Sequence, residues 1–112
     1  MTNENIIQTA FDLNVQFVAN INTMNFENLN SKFEINQAVF EEIKEELFDY
    51  FGTEDLPKLK ILITDFIVFK YNSGEKLGIE AKLFTEDNQE TELTLHTEFY
   101  NNSLRFKLIE VM

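Results

Sequence analysis

The sequence contains no cysteine, which excludes disulfides and thiolate chemistry and deprives any zinc site of its commonest soft ligand. No apolar run approaches the roughly 18 residues that a membrane helix needs. The opening MTNENIIQTA has no basic segment leading into an apolar one, as a secretory signal would. The chain therefore reads as soluble and cytoplasmic, without membrane contact. Tryptophan is missing while phenylalanine occurs twelve times, which points to a core built from bulky rings. Basic residues are scarce: nine Lys and Arg against twenty Asp and Glu leave a formal charge of −11. That sign opposes binding to nucleic acid through phosphates and suits a basic partner or plain solubility.

What remains is one globular domain. A chain of 112 residues can bury roughly two-thirds of its unfolded surface. No repeat, linker or low-complexity segment divides it. The pattern predicts helices over 1–57 and an antiparallel sheet over 58–112. The first helix is expected from about Glu4 to Ile21, with Ile7, Ala10, Phe11, Phe17, Val18 and Ile21 at helical spacing, Asn3 as its cap and Glu4 favouring the dipole. A short second helix, FENLNSKF, starts from Asn25 as cap. The third starts after Asn36, buries Val39, Phe40, Ile43, Leu47 and Phe51, and ends at Gly52, a residue suited to left-handed closure.

From Leu59 the period changes to two. LKILITDFIVFKY is apolar on both faces and reads as one long strand covered twice or placed centrally. The segment from Tyr71 to Glu75 suits a three-residue hairpin loop with Gly74 left-handed. That register sets Ile61, Ile63, Asp65, Ile67 and Phe69 on one face with Leu77, Ile79, Ala81 and Leu83. A two-residue loop would instead pair Asp65 with Lys82, and the pattern leaves both open. Asn101-Asn102 suits a two-residue type I′ turn, because Asn tolerates positive φ. It pairs Phe99 with Leu104, Glu98 with Arg105 and Leu95 with Leu108, placing Leu93, Leu95, Phe99, Leu104, Phe106 and Leu108 on one face. The sheet is thus a four-stranded meander.

This order resembles the nuclear transport factor two-like superfamily, the cone-shaped fold also seen in small polyketide cyclases and ketosteroid isomerases. The matching pieces are a long first helix ending in VANINTMNFENLNSKF, a helix EEIKEELFDYFG, then LPKLKILITDFIVF, and a closing hairpin LTLHTEFYNNSLRFKLIEV. The resemblance implies three helices packed on a curved antiparallel sheet. The family usually has a short strand between its second and third helices. Residues 33–37 leave almost no room for it, which implies a reduced cone with a smaller pocket mouth. Members include enzymes, ligand binders, dimerisation modules and bacterial toxin-immunity proteins, so the likeness alone assigns no function.

Among single residues, Asp65 interrupts an apolar face in the first register. Buried there, it would have a raised pKa and could act as base or anchor in an isomerase, cyclase or ligand carrier, as pocket carboxylates do in the family's isomerases. The plainer role is an Asp bonded to a helix end or bulge, or paired with Lys82. His96, the one histidine, shares the polar face with Thr94, Glu98, Arg105 and Lys107 and reads as a surface residue. The segment TEDNQETE, residues 85–92, lacks the glycine and alternating oxygen ligands of a calcium loop. No metal or cofactor is expected.

The third helix carries the sharper signal. Glu41, Glu42, Glu45, Glu46 and Asp49 lie off its apolar stripe against a single Lys44, with Glu54 and Asp55 just beyond. Glu41/Glu45, Glu42/Glu46 and Glu45/Asp49 are like-charge pairs four apart, each costing about 0.2–0.5 kcal/mol. A solvated face would mix its signs. Seven of the nine basic residues lie after Pro57, so the first half is almost uniformly negative. A one-signed face of that kind suits a basic protein partner, and an immunity protein or antitoxin against a nuclease-type toxin is the most concrete form. Two other classes stay open: the Asp65 pocket protein, and a homodimerisation module using Phe66 and Val68 on the second face of the long strand.

Overall fold

Two asparagines and a glycine set the helical boundaries. In the computed structural model, which describes residues 3–71 and 74–111, the Asn25 side chain accepts from the Asn28 N–H at 3.1 Å and opens α2 (Phe26–Phe33). Asn36 likewise accepts from Val39 N–H at 2.9 Å and opens α3 (Gln37–Phe51), which Gly52 closes at φ +69°. These contacts satisfy orphan backbone groups at each end. α1 runs Asn3–Asn22. The side chains of Asn3, expected as the cap, and of Glu4, and the turn residues Asn72-Ser73, lie outside what is described.

α1 buries Ala10, Asn14, Phe17, Val18 and Ile21, while Ile7 is exposed, contrary to its expected place in the stripe. Phe17 meets Phe33 of α2 edge-on at 5.3 Å and stacks on Phe106 at 5.4 Å. Burying such a ring contributes about 1.5–3 kcal/mol. The expectation of a phenylalanine-rich core is met here, in the layer between helices and sheet.

The sheet has five strands, β1 (Leu59–Lys60), β2 (Phe66–Lys70), β3 (Leu77–Thr85), β4 (Glu90–Tyr100) and β5 (Ser103–Val111). β1 and β2 both pair with β3, followed by β4 and β5, and every pairing is antiparallel. The expected single strand over 59–71 is therefore broken. A turn of 3-10 helix at Ile63–Asp65, closed by the Asp65 N–H on Leu62 C=O at 3.0 Å, interrupts it. Residues 61–65 lie against Lys82 and Leu83 alone, so parity changes along the edge. Phe66 pairs with Ala81 and Val68 with Ile79, which is the register of the two-residue loop and not that of the three-residue loop. Phe66 and Val68 turn inward; Ile67 and Phe69 turn out.

A second irregularity lies at β4–β5. Pairing from Tyr100–Ser103 through Thr97–Phe106 is as expected, then shifts so that Leu95 meets Ile109. Lys107 is the extra residue of a bulge, and Ile109 takes the inward place expected of Leu108, which is 45% exposed. At a third, Thr91 Oγ1 donates to Leu83 C=O at 2.7 Å and accepts from Leu93 N–H at 3.1 Å. Those bonds satisfy buried backbone where the β3–β4 ladder slips.

Candidate functional site

α3 is anchored by Phe40, Ile43 and Leu47, all buried, and tied at its far end where Tyr50 Oη accepts from Glu92 N–H at 2.9 Å. That fixes which way its other residues face. Glu42, Glu45, Glu46 and Asp49 fall at i, i+3, i+4 and i+7, one stripe along the helix. They form one wall of a groove of about 220 Å³ whose other wall is Phe106–Ile109 of β5.

The stripe is electrostatically uncompensated. Among the described residues none of these four carboxylates has a cation within 4.0 Å. Lys44 is turned away, 3.4 Å from Glu41 and over the Phe40 ring at 5.2 Å. Lys107, although it lines the groove, lies 3.7 Å from Glu98, and Arg105 lies 3.2 Å from Glu34. Lys82 is hydrogen-bonded to Glu90, whose carboxylate raises the lysine pKa. Lys44, Lys82, Arg105 and Lys107 are thus each held by carboxylates outside the stripe.

The residues predicted for this surface divide. Glu42, Glu45, Glu46 and Asp49 come together. Glu41 stands apart, held by Lys44 and by a 2.9 Å bond from Gln37 Nε2. Glu54 and Asp55 are exposed on the turn after Gly52, outside the groove; the Asp55 N–H donates to Thr53 Oγ1 at 3.1 Å.

Asp65 is not a buried carboxylate. It is exposed in the 3-10 turn and accepts from its neighbour Thr64 Oγ1 at 3.1 Å. The residue lost its expected place because the register that would have carried it inward is not formed. The interior void lined by Phe17, Leu47, Leu83 and Leu95, to which Asp65 contributes nothing, holds about 10 Å³. Phe66 and Val68, expected on the second face of the long strand, instead pack on the core side.

His96 is partly buried on the outer sheet face. Its Nδ1 lies 3.9 Å from Glu80 and its Nε2 2.9 Å from Glu110, the latter off the line of a hydrogen bond. Within residues 85–92 the β3–β4 turn takes 86–89, with Thr85 bonded to Asp87, and no cluster of three metal-ligating side chains occurs among the described residues. Among the described residues, no helix is long and apolar enough to cross a membrane.

Sequence reasoning missed the β5 wall and the exposed outer trio Ile67, Phe69 and Tyr71, because both depend on register. The ring of Phe69 lies across Gly78, the one residue type with room beneath it. Compared with family models, curated proteins and solved structures, the chain matches none.

Proposed function

We propose that this is a non-enzymatic protein that binds and neutralises a basic protein partner through the α3 stripe. Its most concrete form is an immunity protein or antitoxin directed at a nuclease-type toxin. The observation that carries the reading is the uncompensated row Glu42, Glu45, Glu46 and Asp49 beside a groove, while the nearby cations Lys44, Arg105 and Lys107 are held by other carboxylates. Such carboxylates would meet the Lys/Arg surface that a nuclease uses for phosphate. Concentrated negative potential would raise the association rate and make it fall with salt. As part of the same reading, the fold is a reduced cone of the nuclear transport factor two-like kind. Three helices preceding an antiparallel sheet support it; the direct passage from α2 to α3 is the departure that makes the cone a reduced one.

The test is capture from native lysate on the immobilised chain, with mass spectrometry, beside a variant carrying Glu42→Lys, Glu45→Lys, Glu46→Lys and Asp49→Lys. A basic protein retained by the first and lost by the second supports the proposal. The same proteins on both columns would sink it.

One observation favours a second reading, self-association. Ile67, Phe69 and Tyr71 form an exposed apolar row, with Ile67 at 56%. Sedimentation at two concentrations decides between a monomer and a homodimer using that row.

A further inference from the structure

We infer that the partner engages as an extended basic strand that adds to the free edge of β5 at Leu108–Val111. This rests on the reading of a basic partner above and specifies how its chain is held.

β5 pairs with β4 alone, so its outer edge presents backbone donors and acceptors without a ladder partner. That edge borders the groove whose opposite wall is the α3 stripe. Native sheets guard such edges with lysines, bulges or prolines. In β5 the guards occupy the first half: Arg105, Lys107 and the bulge itself. Beyond them, Leu108-Ile109-Glu110-Val111 has no basic residue and no proline, and Leu108 and Val111 are exposed. The opposite sheet edge is no equal template, because the 3-10 turn at Ile63–Asp65 interrupts it.

Charge selects the occupant. A second copy of this −11 chain, or an acidic strand, would bring like charge against Glu110 and the stripe. A strand bearing Lys or Arg would not. The spacings also agree. Alternate side chains of a strand repeat every 6.6 Å or so. Glu42 to Glu46, and Glu45 to Asp49, each advance about 6 Å along a helix. Basic residues at every second position can therefore meet successive carboxylates, while the added backbone bonds to β5.

The test uses the full chain, isotope-labelled, and a short peptide alternating lysine and valine, with a glutamate–valine peptide as control. Amide hydrogen exchange and chemical shifts are read in low and high salt. The expected result is exchange slowed by about tenfold or more at alternate amides of Leu108–Val111, together with shifts in 42–49, for the basic peptide in low salt. Shifts on α3 with β5 exchange unchanged would overturn strand addition and leave the acidic docking surface standing. If neither segment responds, the edge proposal and the basic-partner reading fail together. Replacing Leu108 and Val111 with lysine, both exposed, should abolish the protection while leaving the unfolding midpoint in place. Protection that survives this change would also overturn the proposal.

Discussion

Thr97 Oγ1 donates to Asn14 Oδ1 at 3.0 Å, joining the middle of α1 to the middle of β4 inside the core. Asn14 in turn donates from Nδ2 to Ala10 C=O at 2.8 Å. A buried polar group left without its partner costs about 1–3 kcal/mol, whereas removing both partners together costs less. Thr97→Val and Asn14→Leu should each destabilise by about that amount, and the double variant by less than their sum. Urea unfolding of the four proteins measures it, and simple additivity would remove the pair from the core's account.

The Asn22 side chain accepts from Leu59 N–H and donates to Leu59 C=O, both at 2.8 Å, so one amide imitates a strand partner. Asn22→Ala should cost about 1–3 kcal/mol by stranding two backbone groups. Faster amide exchange at Leu59 than elsewhere in the sheet is the local sign. Uniform acceleration would argue against a specific clasp.

The α3 stripe predicts an inverse relation between stability and binding. Glu45→Gln relieves like-charge neighbours at Glu41 and Asp49, worth about 0.2–0.5 kcal/mol each. The variant should melt slightly higher and hold a basic partner more weakly, with a shallower salt dependence. Thermal unfolding and a salt series of the captured complex read both quantities.

Although Tyr71 is 38% exposed, partial desolvation of its phenol, followed by a hydrogen bond and repulsion from the Glu98 carboxylate, raises its pKa above the ordinary value, an effect that solvent screening keeps small. The folded state then holds that proton more firmly than the unfolded chain. The stability from this contact is complete below the ordinary phenol pKa of about 10 and is lost as pH rises through the higher folded value. Glu98→Gln should move the Tyr71 midpoint downward in an alkaline absorbance titration, with Tyr71→Phe identifying the signal. An unmoved midpoint would separate the two groups.

The helices were legible because their signals are local. Asn25, Asn36 and Gly52 act within one turn of chain, and Asn101-Asn102 fixes its hairpin by the φ values of two residues, +51° and +60°. The edge of the sheet was not. In LKILITDFIVFKY both alternating sets are apolar, Ile61, Ile63, Ile67 and Phe69 against Leu62, Phe66 and Val68, so hydrophobic pattern could not choose a register. The 3-10 turn that decides it depends on how many residues β3 leaves opposite. The Lys107 bulge was hidden for the same reason, and it moved Leu108 from core to surface. Asn14 was a missed signal of another kind: a polar residue at core spacing between Ala10 and Phe17 already asked for a partner. The acidic stripe was visible as spacing, but its separation from Glu41, Glu54 and Asp55 was not.

The Asn22–Leu59 clasp pins both ends of the intervening stretch to a single point. Everything that bears the carboxylates is strung between them like a handle fixed at both feet. Lengthening such a handle adds only a slowly growing closure penalty, about 0.6 kcal/mol per doubling. The stretch between the two feet can therefore take an insertion in an exposed turn, such as residues 53–55, at little cost in closure entropy.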